Sequence, residues 1–190
     1  MAVDNLVEGL KTQGVNAVRF GSPDRVSPRV EAHTLEARIE QHPAYPVLNR
    51  ARNSKESLQA ELSENLAGPQ REAKQKEIGK LNGRIYLLKR RLQAEVLHEA
   101  DVVCTTCLSA TSRVLEVIDF PFVFLDEASM ATEPLSIVPL TKGSAQVAII
   151  GDHKQLPPVI VSEAAQQGGL GTSLFERLIH EQGKLTSCVS

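Results

Sequence analysis

Three short apolar runs recur in the second half of the chain, and each ends in a polar loop. They are Val102-Val103-Cys104, residues 122–125 and residues 147–150. The second runs directly into Asp126-Glu127 and the third into Gly151-Asp152. Residues 135–140 and 173–182 carry helical patterns between or after them. Continuous apolar strands alternating with helices predict a parallel sheet covered on both faces. In such sheets the functional loops leave the carboxyl ends of the strands, which is where the acidic pairs fall. Near the start, Leu6, Val7 and Leu10 predict a helix over residues 4–10, ended by Gly14. A strand follows at residues 17–20, closed by Gly21-Ser22-Pro23. Residues 24–46 contain Pro28, Pro43 and Pro46 and predict a loop-rich connection.

The pattern changes over residues 53–99. Leu58, Leu62 and Leu66 form one stripe, and Asn53 with Glu56 has the spacing of a capping box at its start. Gly68-Pro69 interrupts it. Ile78, Leu81, Ile85, Leu88, Leu92 and Val96 then repeat at three- and four-residue steps, close to a heptad seam. These two stripes predict an antiparallel helical hairpin, residues 53–67 and 70–99, with leucines facing each other. Gly79 and Gly83 each cost the second helix about 1 kcal/mol relative to Ala.

Composition narrows the class. The 190 residues are 42% apolar but only 4% aromatic, with no Trp, so the core is aliphatic. A net charge of −2 argues against attachment to nucleic acid by bulk positive charge, while leaving room for local contacts. No apolar run has the length of a membrane span, and no secretory leader pattern opens the chain. Three cysteines without a framework spacing predict a reducing compartment, cytosol or nucleus.

The acidic loops carry the candidate chemistry. A strand that delivers Asp126 and Glu127 to a sheet edge supplies one carboxylate for Mg²⁺ and a second to orient a nucleophilic water. Taken alone, Asp-Glu after four apolar residues is more often a strand followed by an acidic loop. Gly151-Asp152-His153-Lys154-Gln155-Leu156-Pro157-Pro158 is far more specific. There Gln155 presents a neutral amide to a γ-phosphate or its attacking water. Cys104-x-x-Cys107 lacks the second ligand pair that a structural zinc site needs. His153 reads as a loop residue, and Lys89-Arg90-Arg91 equally well as a solvated helix face or a nucleic-acid contact.

Together these strings resemble motifs II and III of superfamily 1 helicases of the up-frameshift and senataxin type. The resemblance extends to Ala2-Val-Asp-Asn-Leu6 (the end of motif Ia), residues 100–110, Ala131-Thr-Glu-Pro134 and residues 173–178. It implies an α/β fold: a partial RecA-like parallel sheet of the P-loop NTPase type with an inserted helical hairpin. It implies ATP and Mg²⁺ as cofactors and single-stranded RNA or DNA as partner, with the hairpin open to protein partners. Carried over, Asp126 coordinates Mg²⁺, Glu127 polarises the attacking water, and Gln155 senses the γ-phosphate, with Asp152 and Lys154 shaping the loop. Asn5, Thr105, Thr106 and Ser109 lie on the nucleic-acid face, where short hydroxyls and amides suit contacts that do not read sequence.

The implied organisation is residues 1–52 as the start of a RecA-like domain, 53–99 as the hairpin, and 100–190 as the remainder of that domain. The chain contains no Gly-x-x-x-x-Gly-Lys-Ser/Thr and no Gln-Tyr-Arg-Met string. The expectation is therefore half of an ATP site, inactive without a phosphate-binding loop and a second RecA-like domain. The alternatives are a non-enzymatic nucleic-acid- or protein-binding fragment, or an interaction protein working through the hairpin.

Overall fold

A computed structural model describes residues 2–23, 26–63, 68–152 and 154–182. The chain forms two compact units, residues 1–105 and 106–190.

In the first unit, α1 (Ala2–Thr12) packs on a parallel pair of strands, β1 (Ala17–Arg19) and β2 (Val102–Cys104). Gly14 closes α1 at a φ of 75°, a left-handed position that glycine takes without strain. Val7, Ala17, Val30 and Cys104 are buried together beneath Val3, Leu10, Val26 and Val102. Burial pushes the Cys104 thiol up to about 11.

The long crossover between β1 and β2 is helical. Residues 24 and 25 of the expected loop-rich connection lie outside the described residues, and residues 26–46 are only partly loop: they contain a short 3₁₀ helix (Glu31–His33) and α2 (Leu35–Gln41). The Thr34 hydroxyl caps α2 by accepting the Ala37 amide, and Leu35 and Ile39 are buried one turn apart. The next helix, α3, spans Tyr45–Ser63 and so starts eight residues before Asn53. Pro46 sits in its first turn, where a missing amide costs nothing, and Asn53 lies mid-helix and makes no capping box. Residues 64–67, including Leu66, lie outside the described residues.

The fourth helix, α4 (Gly68–His98), packs against α3. Glu61, near the end of α3, pairs with Lys74, near the start of α4, and His42, three residues before α3, pairs with Glu95, near the end of α4, so the two helices run antiparallel. Ile78, Leu81, Ile85 and Leu88 are half-buried and Leu92 and Val96 buried, whereas Gly79, Gly83, Tyr86 and Leu87 are exposed. Among the described residues, no helix is long and apolar enough to cross a membrane.

In the second unit, β3 (Phe122–Leu125) and β4 (Gln146–Ile149) pair in parallel, joined through α5 (Glu133–Leu140). After β4 come α6 (Glu163–Gln167) and α7 (Leu174–Gln182). The architecture is mixed α/β with short parallel sheets. Among the described residues these are two separate two-stranded sheets, one per unit, where the apolar runs predicted one. Coverage also differs from expectation. The register puts Phe122, Phe124 and Ala148 on one face, and Phe122 and Phe124 are 59% and 71% exposed. On the other face Leu125 is buried and Val123 and Ile149 are half-buried. A continuous apolar run records which faces are suited to burial, not which are covered.

Candidate functional site

The site in the second unit begins with the pairing of β3 and β4. Because the strands are adjacent and parallel, Asp126 and Asp152 leave the sheet at the same end. Leu125 faces Ile149 in the ladder, and the Ile150 amide continues it to the Leu125 carbonyl at 2.8 Å. One step further, the Ala128 amide donates to the Ile150 carbonyl at 2.9 Å. The two loops are thus tied by backbone before any side chain acts. Gly151 allows the close approach: a Cβ there would stand 3.0 Å from the Ser129 nitrogen and 3.4 Å from the Ala128 nitrogen.

Strand alternation does not orient the acidic pair. Glu127 is left-handed, φ 52° and ψ 38°, and is the one non-glycine residue with positive φ among the described residues. Such a conformation is costly for a side chain with a Cβ, and it clusters at functional sites. It turns the chain sharply into a 3₁₀ helix, Ala128–Met130. Asp126 and Glu127 are both exposed. One Asp126 oxygen, Oδ1, accepts the Glu127 amide at 3.1 Å, and Oδ2 has no protein partner among the described residues. An exposed carboxylate with a free oxygen fits Mg²⁺, which takes one or two carboxylates and keeps several waters. Among the described residues no group of three or more His, Cys, Asp or Glu stands ready as a cage.

The opposite loop is organised from within. Asp152 Oδ1 accepts the Lys154 amide at 2.9 Å, and the Asp152 carbonyl accepts the Gln155 amide at 3.1 Å. The Gln155 side-chain amide donates to Asp152 Oδ2 at 3.4 Å. Asp152 is half-buried while Lys154 and Gln155 are exposed. His153 lies outside the described residues.

Of the nucleic-acid candidates, Thr106 and Ser109 come together: their hydroxyls are 3.0 Å apart, and Thr106 Oγ1 accepts the Ser109 amide at 3.1 Å. Thr106 thereby ties the loop after β2 to the start of the short 3₁₀ helix Ser109–Thr111. Asn5 is exposed on α1, and Thr105 follows directly on β2, half-buried.

Sequence reasoning did not single out Ser129, Glu133 or Arg177 as site residues. Ser129 is 4% exposed, and its hydroxyl has no hydrogen-bond partner among the described residues. Arg177 on α7 forks onto Glu133, at the start of α5, at 2.8 and 2.6 Å. The Arg177 guanidinium holds the Glu133 carboxyl below the usual carboxylate range. Both residues stand in strings that carried the helicase resemblance, but 44 residues separate them, and spacing alone does not reveal the pair.

Residues 1–163 match a family model described as "AAA domain". The chain is 33% identical over 183 residues to the ATP-dependent helicase NAM7 of Saccharomyces cerevisiae, covering 94% of this chain and 17% of that protein. It is 35% identical over 181 residues to a regulator of nonsense transcripts 1 homolog of Arabidopsis thaliana, covering 94% and 13%. With DNA polymerase alpha-associated DNA helicase A of Schizosaccharomyces pombe it shares 31% identity over 188 residues, 99% and 28% of the two chains. The chain therefore spans well under a third of the length of these relatives. It belongs to the AAA domain family and is similar there to one segment of the up-frameshift-type, ATP-dependent helicases.

Proposed function

We propose that this chain supplies the metal- and water-handling half of an ATP site in a nucleic-acid translocase, from a partial RecA-like domain. The observation that carries the reading is the parallel pairing of β3 and β4, which brings the Asp126-Glu127 loop beside the Asp152–Gln155 loop. Asp126 would hold Mg²⁺ by its exposed carboxylate. When bound, Mg²⁺ neutralises charge on the phosphates. Glu127 orients the attacking water and accepts its proton. Gln155, on a loop stiffened by Asp152, offers a neutral amide to the γ-phosphate side. Within each unit taken by itself, the exposed side chains of Asn5 and of Thr106, with half-buried Thr105 and Ser109 respectively, are of the kind that contacts phosphates and sugars of a single strand, RNA or DNA, without reading sequence.

The antiparallel α3–α4 pair is read as an insertion in that domain, available to protein partners or to the strand itself. The three cysteines have no framework spacing in the sequence, which supports cytosol or nucleus. The left-handed Glu127 beside an exposed Asp126 supports the catalytic reading over a purely binding fragment.

Mn²⁺, a paramagnetic stand-in for Mg²⁺, tests the metal assignment on the 190-residue chain. It should broaden the amide resonances of residues 125–128 and 151–155, and Asp126→Asn should remove that broadening. Broadening of the same residues that persists in Asp126→Asn would overturn the assignment.

A further inference from the structure

We infer that Arg177 is a positioning residue: by clamping Glu133 it holds the two loops at the carboxyl ends of β3 and β4 in one arrangement. The inference rests on reading those loops as half of an ATPase site.

The geometry runs as a closed circuit. From Glu127 the chain enters the 3₁₀ helix Ala128–Met130, which packs against α7. Three residues after that helix, Glu133 opens α5. There Arg177 Nε and Nη2 take one carboxylate oxygen each, at 2.8 and 2.6 Å, while Nη1 takes Glu181 Oε2 at 2.9 Å. Two residues before Arg177, Phe175 Cδ1 lies 3.4 Å from the place a Cβ would occupy on Gly151. Gly151 leads into the Asp152–Gln155 loop. One short helix therefore touches both loops, and the guanidinium fork fixes that helix to the segment joining them.

Both ends of the clamp are anchored. The Ser173 side chain, 1% exposed, accepts the Glu176 amide at 3.1 Å and so caps α7. Ser136, also 1% exposed, donates to the Thr132 carbonyl at 3.2 Å at the start of α5. The pair itself is partly solvated, with Arg177 39% and Glu133 28% exposed. Partly solvated pairs add little to global stability, whereas a two-bond fork restricts geometry. Losing it should therefore loosen the loops without unfolding the unit.

Hydrogen exchange resolved by residue on the 190-residue chain tests this. The variants are Arg177→Lys, which keeps the charge and loses the fork, and Glu133→Gln, which keeps the shape and loses the charge. The amides of Ala128 and Gln155 should exchange about tenfold faster in both variants, while those of β3 and α5 change less than about twofold. Acceleration spread evenly over the second unit, in step with a fall in melting temperature, would show a merely structural pair and overturn the inference. Unchanged exchange at Ala128 and Gln155 would overturn it too. Should Arg177→Lys fail to fold, the same comparison is read on Glu133→Gln alone. The Mn²⁺ experiment on Asp126→Asn bears on the metal reading only, so the two can fail separately.

Discussion

Asp4 and Arg19 form an ion pair 2.8 Å long, with side chains only 6% and 8% exposed. The second Asp4 oxygen accepts the Ser27 amide at 3.0 Å, and Arg19 also donates to the Ser22 carbonyl at 3.1 Å. The pair sews α1 to β1 and to the chain that leaves β1. It lies next to Asn5, a candidate nucleic-acid residue.

Removing the Asp4 carboxylate takes the neutralising charge away from a buried guanidinium. Asp4→Ala should destabilise the first unit by about 3–5 kcal/mol, whereas the paired change Asp4→Leu with Arg19→Leu should cost far less. Burial pushes the Asp4 carboxyl up. The Arg19 hydrogen bond, the Ser27 amide and the Arg19 charge outweigh it and leave the group below its ordinary value. A depressed carboxylate contributes stability above its unfolded pKa and loses it as pH falls through the folded one. Thermal melts should therefore show the gap between wild type and Asp4→Asn wide at pH 7 and closing below about pH 4. A gap that stays constant with pH would contradict the ionic account.

Gly151 is the second point where one atom decides a contact. Gly151→Ala puts its Cβ 3.0 Å from the Ser129 nitrogen, and backbone cannot swing aside as a long side chain can. The substitution should cost about 1–3 kcal/mol and shift the amide resonances of Ala128, Ser129 and Asp152 together. Gly83→Ala meets nothing within 4 Å and lies inside α4, so it should raise stability by up to about 1 kcal/mol. Equal effects from the two substitutions, read by denaturant titration, would count against the packing argument.

Much of this molecule is legible in its sequence, for reasons that can be named. The strands β1 to β4 fall on the apolar runs within a residue, because a short run of β-branched and aromatic residues bounded by turn formers has few other uses. The seam of α4 is legible because six residues repeat at helical steps. Other features depend on contacts distant in sequence. α2 was hidden among prolines, although Thr34 with Leu35 and Ile39 carries its cap and its buried face. The start of α3 is hard to read because Asn53 and Glu56 imitate a capping box, while Pro46 marks the true first turn. The left-handed backbone of Glu127 and the Arg177–Glu133 fork arise from tertiary constraint, and no local pattern announces them.

The claim that this chain holds half of an ATP site is tested most directly by ATP turnover in a hybrid. The chain replaces the matching segment of the yeast helicase NAM7, and the hybrid is compared with its Glu127→Gln variant and with the 190-residue chain alone. The chain alone should show no turnover above background, since its own sequence contains no phosphate-binding lysine loop. The hybrid should turn over ATP, and Glu127→Gln should lower that rate by about 10²–10⁴-fold while leaving ATP binding intact, because the glutamine keeps the shape and cannot accept the proton. Nucleic-acid-stimulated hydrolysis by the chain alone, or a Glu127→Gln hybrid as fast as its parent, would contradict the account.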